Sequence, residues 1–80
     1  MAKDLAMNAM EVLTRCIDSE SWKGNFPKNY TIHFNGKLHP VTHCVELEIK
    51  DNDGVSPSLN AFVNYKNWKI TFPKSSKVNL

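Results

Sequence analysis

Four residues with metal-binding or nucleophilic side chains lie within a short stretch of the sequence: His33, His39, His43 and Cys44. Imidazole nitrogens and cysteine thiolates are common zinc ligands, and a cysteine beside a histidine can act as a nucleophile. Their spacing matches no zinc-site pattern, and a chain of 80 residues has little volume for a pocket with an oxyanion hole. The sequence therefore predicts no catalytic residues, no bound metal and no cofactor.

The acidic residues in the middle of the chain are a second group whose types suit chemistry. Residues 51–54 (Asp-Asn-Asp-Gly) have the alternating acids of a calcium loop but lack its downstream glutamate ligand, so we interpret them as a tight turn. Glu46 and Glu48 alternate along one predicted strand, and such a pair does acid–base work only inside a cleft. On an open sheet face we expect these carboxylates to be solvated, or paired with Lys50 or Lys69.

Lysines and aromatic residues are concentrated in the C-terminal part of the chain. Residues 54–80 contain four lysines and no acidic residue. Lysines at the rim of an interface accelerate association with an acidic partner, and aromatic anchors supply much of the binding energy where they are desolvated. We therefore predict a partner-binding site formed by Lys66, Lys69, Lys74, Lys77, Phe62 and Trp22.

Two other functions remain open as alternatives. Aromatic side chains interleaved with lysines can stack the bases of single-stranded DNA or RNA while the lysines contact phosphates. Phe62 is the one aromatic residue of this segment that alternates onto the face opposite the predicted core, which makes a small stacking platform. The second alternative is a small toxin-like ribonuclease that uses His33, His39 or His43 with lysine or glutamate partners.

An amphipathic helix is predicted at the start of the chain. Apolar residues recur there at helical spacing, namely Leu5, Ala6, Ala9, Met10, Leu13, Cys16 and Ile17. Gly24 and Pro27 are typical of the region just beyond a helix end. The sequence therefore predicts a helix over residues 1–23.

After the helix, the hydrophobic period changes to strict alternation, which predicts antiparallel strands over residues 28–73. Asn35 followed by Gly36 is a strong hairpin signal, and it would join one strand to a second, short strand at 37–41. A two-residue loop at this point would place His33 and His39 on different faces of the sheet.

A longer, bulged loop would instead put Phe34 and Leu38 on one face, and the sequence does not decide between these registers. The later hairpin is better defined, because a two-residue loop at Lys66 and Asn67 puts apolar pairs on one core face. These predicted pairs are Tyr65 with Trp68, Val63 with Ile70, and Ala61 with Phe72.

The predicted fold class is α+β: one N-terminal amphipathic helix packed on a four- to five-stranded antiparallel sheet in two layers. The hydrophobic fraction of 41% is enough for one core, and 80 residues leave no room for a second. A single domain therefore spans residues 1–80, with the helix at 1–23, the sheet at 28–73 and a polar tail at 74–80.

The sequence predicts a cytoplasmic protein without a membrane segment. The apolar residues near the N-terminus are interrupted by Asp4, Asn8 and Glu11, so they form no signal-peptide core. No stretch approaches the roughly 20 apolar residues of a membrane span. Cys16 and Cys44 are too few for a disulfide scaffold, and we expect two buried, reduced thiols.

Charge is segregated along the chain although the net charge is only +2. Residues 23–43 and 54–80 contain lysines and no acidic residue, whereas residues 1–22 and 44–53 are net acidic. Segregated charge steers association with a complementary partner. Because no catalytic set is evident, we expect a non-enzymatic binding or regulatory protein that acts through protein–protein interaction.

The expected partner is another protein, with nucleic acid as the alternative and no membrane. Small, motif-poor domains of this kind are often encoded by phages and other mobile elements, so an accessory protein that binds a host factor is the expected setting. We also expect a monomer or a weak dimer, with dimerisation through an exposed strand edge, because such an edge presents unpaired backbone groups.

Overall fold

The N-terminal helix α1 spans Ala2–Ile17 in the computed structural model, which describes residues 2–22, 24 and 26–73 and the side chains from residue 4 onward. Its buried side is formed by Ala6, Ala9, Leu13 and Ile17, which follow helical spacing. Small alanines at two of these positions let the helix backbone lie close to the sheet beneath it. The apolar residues that the sequence predicts for one side of the helix therefore do face the sheet.

The helix ends at Ile17, so the prediction of a helix over residues 1–23 was too long. The backbone N–H of Ser19 lies 3.2 Å from the carbonyl oxygen of Cys16, and its hydroxyl donates to the same oxygen at 2.7 Å. A serine that satisfies a helical carbonyl in this way competes with continuation of the helix. Residues 18–22 form turns and a bend instead, and residues 1 and 23 lie outside the described residues.

Four antiparallel strands form one sheet in the order β1-β2-β3-β4. They are β1 (Tyr30–His39), β2 (Cys44–Asp51), β3 (Leu59–Asn64) and β4 (Lys69–Thr71). The helix packs on one face of this sheet, so the predicted α+β class and its two layers are confirmed. No described helix is long and apolar enough to cross a membrane.

Asn35 and Gly36 form a bulge within β1, so the predicted hairpin at this dipeptide was wrong. Phe34 pairs with Leu47 and Leu38 pairs with Val45, which leaves three residues of β1 opposite one residue of β2. Gly36 supplies the left-handed backbone that the bulge needs, with φ at +83°. The chain reverses later, at residues 40–43, so residues 37–39 of the strand predicted at 37–41 belong to β1 and residues 40 and 41 belong to the turn.

The bulge preserves the alternation of β1 because it adds two residues. Phe34 and Leu38 both pack against the core, as the longer of the two loops considered would require. His33 pairs with Glu48 and His39 pairs with Cys44 in the β1–β2 register. Both histidines therefore share the face opposite the helix, contrary to the separation that a two-residue loop would give.

The β3–β4 hairpin has the predicted register, because Val63 pairs with Ile70. Its connection is longer than predicted, since residues 65–68 all belong to the turn. Trp68 has φ at +57°, a conformation that bulky residues rarely adopt. Tyr65 and Trp68 therefore do not form the strand pair expected from the alternation.

The core lies between the helix and the two central strands. Its fully buried large side chains are Leu13, Val45, Leu47, Ile49 and Val63. Burial of each such side chain contributes about 1.5–3 kcal/mol relative to exposure. The opposite face of the sheet, here called the open face, is covered by no described element.

The sheet has two unlike ends. The turn end is formed by residues 40–43 and 65–68, and the loop end by residues 52–58 together with Tyr30 and Asp51. Because β4 runs from the turn end towards the loop end, the two ends of this short strand belong to different regions of the surface.

Candidate functional site

The predicted partner-binding residues do not form one surface. Phe62 is half-buried on the open face, where it pairs with Thr71, and Lys69 lies exposed on the same face. Lys66 is exposed in the turn of residues 65–68. Lys74 and Lys77, like the whole predicted tail, lie outside the described residues.

Trp22 packs in an aromatic cluster on the helix side of the sheet. Its ring centroid lies 5.8 Å from that of Phe26 and 5.4 Å from that of Phe72. Such ring pairs stabilise a fold beyond the area that they bury. Trp22 therefore lies on the opposite face from Phe62, and the two predicted anchors are not neighbours.

Trp22 is also separated from the hairpin turn along β4. Lys69 begins β4 at the turn end, and Phe72 lies three residues further on, roughly 10 Å away at about 3.3 Å per residue. Trp22 contacts Phe72, so it lies away from Lys66 and Lys69.

Trp68 is the aromatic residue that the turn end exposes, and sequence reasoning missed it. Trp68 as a whole residue is 37% exposed. The backbone N–H of Lys66 donates to Asn64 Oδ1 at 2.8 Å, and that of Lys69 donates to Asn67 Oδ1 at 2.9 Å. The two asparagines are the signal that indicates a longer turn, because such side chains satisfy turn backbone groups.

A groove of about 400 Å³ lies between Trp68 and the outer surface of the helix. We call it the Trp68 groove, and its other lining residues are Asn8, Glu11, Val12 and Arg15. Glu11 and Arg15 lie one helical turn apart but are not paired, since the contact of His39 with Glu46 is the one within ion-pair distance among the described residues. The charged groups of the groove are therefore free of ion-pair partners in that part of the chain.

A second pocket of about 380 Å³ lies on the open face. We call it the Phe62 pocket, and it is lined by His39, Thr42, Cys44, Phe62 and Thr71. His39 Nε2 lies 3.2 Å from Glu46 Oε1, and the imidazole centroid is 5.9 Å from the Phe62 ring. Glu46 is therefore paired with a histidine rather than with either of the lysines expected from the sequence.

The histidine and cysteine residues of the sequence cluster are engaged separately. The Cys44 thiol donates to the carbonyl oxygen of Thr42 at 3.5 Å, and His43 Nδ1 lies 3.4 Å from the Tyr65 hydroxyl. Within the described residues, no group of three or more His, Cys, Asp or Glu side chains is placed to hold a metal ion. Cys16 and Cys44 are half-buried rather than fully buried, and neither forms a disulfide.

The acidic segment at the loop end is a closed turn. The Asp51 carboxylate accepts hydrogen bonds from the backbone N–H groups of Ser56 at 2.8 Å, Asp53 at 3.0 Å and Val55 at 3.2 Å. These donors hold the pKa of Asp51 below its ordinary value of 3.8, because they stabilise the charged form. The carboxylate oxygens face amide hydrogens, as the interpretation of a tight turn requires.

No protein-family model, no curated protein and no solved structure matches this chain.

Proposed function

We propose that this chain is a non-enzymatic binding protein whose partner is another protein, and that the partner docks in the Trp68 groove. The observation that carries the proposal is the state of Trp68, a half-exposed indole held by a left-handed backbone beside a groove on the helix. It replaces Trp22 as the aromatic anchor nearest to the predicted lysines.

The backbone of Trp68 is the first support for this proposal. A non-glycine residue in the left-handed region costs roughly 1–2 kcal/mol, and such residues persist where the surrounding structure holds them. Glycine or asparagine would occupy φ near +57° with less strain, yet the chain places its largest side chain there. A partner that desolvates the indole supplies a reason for that choice.

The composition of the groove is the second support. Tryptophan and arginine are among the residues most enriched at the energetic centres of protein interfaces. Trp68 and Arg15 line the same groove, and Val12 adds apolar surface to its lining. Lys66 and Lys69 lie in or beside the same turn, where they retain the steering role that the sequence analysis gives them.

The open face carries negative charges, which disfavour single-stranded nucleic acid as its ligand. Glu46 and Glu48 lie on the central strand β2, and Glu46 is adjacent to Phe62 in the β2–β3 register. Carboxylates in this position repel the phosphates that a stacking platform must hold close. This face therefore supports the proposal of a protein partner over the alternative.

Catalysis by a thiol–imidazole pair is not favoured by the contacts of the open face. Cys44 directs its thiol hydrogen to a backbone carbonyl, while His39 contacts Glu46. A nucleophile of this type needs hydrogen-bond contact with its base. The proposal of a non-enzymatic protein draws its support from this arrangement.

Affinity capture from a nuclease-treated lysate tests the proposal with three forms of the protein. These are the wild type, Trp68→Ala, and Val41→Ala as the matched control, because Val41 is an apolar residue of the turn end that is 88% exposed. We expect a protein that wild type and Val41→Ala retain equally and that Trp68→Ala loses. Circular dichroism verifies that each variant folds.

Equal retention of the same protein by Trp68→Ala and wild type would overturn the proposal. Capture that disappears after nuclease treatment would favour the nucleic-acid alternative. Cleavage of RNA by the wild type, abolished by substitution of His33 or His39, would favour the ribonuclease alternative.

A further inference from the structure

We propose that the partner presents an acidic segment to the Trp68 groove, with an apolar side chain against Trp68 and a carboxylate on Arg15. This inference rests on the proposed function, since it names the chemistry of the partner that docks there. It concerns a surface that brings together the outer side of the helix and the β3–β4 turn.

The charges around the groove favour an acidic occupant. Within the groove, the single positive charge of Arg15 and the single negative charge of Glu11 are balanced. The adjoining turn adds Lys66, and the sequence has no acidic residue from 54 to 73, whereas Lys69 lies on the open face. The mouth of the groove is therefore net positive on the side of the turn.

Arg15 is the group suited to hold a carboxylate. Its guanidinium group has no ion-pair partner among the described residues, so an incoming carboxylate displaces no existing pair. A guanidinium group binds a carboxylate through two parallel hydrogen bonds, which fixes its orientation as well as its position. Glu11, one helical turn away, repels a carboxylate of the partner, so the carboxylate is expected at Arg15 and not at Glu11.

The apolar part of the groove defines the rest of the occupant. Val12 and Trp68 provide its apolar surface, and its volume of about 400 Å³ accommodates a large side chain. An apolar residue flanked by carboxylates matches both parts of the surface. A purely acidic segment would leave the indole solvated, and a purely apolar one would leave Arg15 unpaired.

The test uses opposite effects of two neighbouring substitutions. For an acidic occupant, Arg15→Gln removes an attractive charge and Glu11→Gln removes a repulsive one, although both variants lose one charged group from the same helix face. We expect Arg15→Gln to weaken binding about tenfold and Glu11→Gln to strengthen it about twofold. A basic occupant would reverse both signs.

The probe is a capped peptide with a central leucine flanked by glutamates, compared with the same peptide carrying lysines. Binding is followed by nuclear magnetic resonance through the indole N–H signals of the two tryptophans. Trp68 is the reporter, and Trp22 is the internal reference because it packs against Phe26 and Phe72, outside the Trp68 groove. We expect the acidic peptide to shift the Trp68 signal and leave Trp22 in place.

The outcomes separate this inference from the proposed function. If the acidic peptide leaves the Trp68 signal unmoved, or if Glu11→Gln and Arg15→Gln bind it equally, the acidic occupant is overturned. If the protein captured from lysate still depends on Trp68 in that case, the proposed function stands. Loss of the Trp68 dependence in capture would overturn the proposed function itself.

Two further results would show that the groove binds something other than an acidic segment of a partner. If an oligothymidylate shifts the Trp68 signal more strongly than the acidic peptide, the groove binds nucleic acid and the inference fails. If the Trp68 signal moves with protein concentration alone, and the double variant Glu11→Arg/Arg15→Glu restores an effect that each single change removes, a second copy of the chain occupies the groove. That result would also overturn the inference.

Discussion

The two ends of the sheet are built from the same strands, yet their backbones differ. Side chains satisfy backbone N–H groups at both ends, and each end exposes a valine. Within the described residues, however, the strained non-glycine backbone lies at the turn end, where it carries the exposed Trp68. The comparison teaches where the chain gains stability and where it has surface available for a partner.

Hydrogen bonds join β1 to the loop after β2 at the loop end. The backbone N–H of Asn52 donates to the Asn29 carbonyl at 2.9 Å, and the Thr31 hydroxyl donates to Asn52 Oδ1 at 2.7 Å. The Tyr30 hydroxyl donates to Asp18 Oδ1 at 2.9 Å and so ties the sheet to the segment after the helix. These contacts lie beside the aromatic cluster and close that end of the molecule.

The turn end carries both non-glycine residues with positive φ that occur in the described part of the chain, His43 at +59° and Trp68 at +57°. It also carries Val41, which is almost fully exposed. Strained and exposed groups of this kind add little to stability, and proteins retain them at binding surfaces. We therefore expect substitutions that lower stability most to lie away from the turn end, and substitutions that affect binding to lie at it.

The largest effect is expected from Phe26→Ala at the loop end. Phe26 is buried and contacts both Trp22 and Phe72, so its removal should lower the free energy of unfolding by about 3 kcal/mol. Urea denaturation followed by circular dichroism measures the change. Val55→Ala is the control, since Val55 is 84% exposed. If Trp68→Ala costs as much stability as Phe26→Ala, the contrast between the ends is wrong.

A smaller effect isolates the strain at the turn end. Trp68→Gly and Trp68→Ala both remove the indole, but only glycine relieves the left-handed backbone. We expect Trp68→Gly to be more stable than Trp68→Ala by about 1 kcal/mol. Equal melting temperatures of the two variants would mean that the turn stores no strain at this position.

The next effect depends on pH and belongs to the loop end. Because the folded pKa of Asp51 is lowered, its contribution to stability is present above its ordinary pKa of 3.8 and is lost as the pH falls below that value. Asp51→Asn should therefore be less stable than the wild type at neutral pH, and the difference should shrink towards acidic pH. A difference that is constant from neutral to acidic pH would contradict the hydrogen-bonded turn.

The smallest effect concerns Tyr30 at alkaline pH. Burial and the neighbouring Asp18 raise the pKa of Tyr30 from its ordinary value of 10.0 to about 12. Its contribution to stability is complete below pH 10.0 and is lost as the pH rises through about 12, because the unfolded chain ionises first. Tyr30→Phe should show a flatter stability profile in that interval, and Tyr65→Phe serves as the comparison. Parallel profiles of Tyr30→Phe and wild type would exclude the coupling.

The secondary-structure elements that can be predicted from this sequence are those whose apolar residues fit only one buried side and one pairing register. The helix stripe from Ala6 to Ile17 and the Val63–Ile70 pairing follow from periodicity alone, because a shift of one residue would bury polar groups. The end of the helix is less predictable. The hydrogen bond from the Ser19 hydroxyl to the Cys16 carbonyl oxygen competes with continuation of the helix. The spacing of apolar residues does not predict this bond.

The candidate site is harder to predict because it depends on backbone conformation rather than on side-chain pattern. Alternation assigns Trp68 to the core, and its exposure arises from two asparagines that lengthen the turn. The groove also joins the turn to Arg15, which lies over fifty positions earlier in the sequence. Local sequence signals do not report such a contact, whereas the fold creates it directly.

The bulge in β1 has a consequence for how the length of this chain can vary. Since the bulge places three residues opposite one and so adds two to β1, loss of both Asn35 and Gly36 would keep Leu38 on the helix side, whereas loss of Gly36 alone would turn it to the other side. Relatives of this protein should therefore differ in length at this point by even numbers. In the shorter forms the edge strand β1 would be straighter, because it would lack the bulge beside Lys37. Such a regular edge strand would pair more readily with the edge strand of another copy and so favour aggregation into fibres.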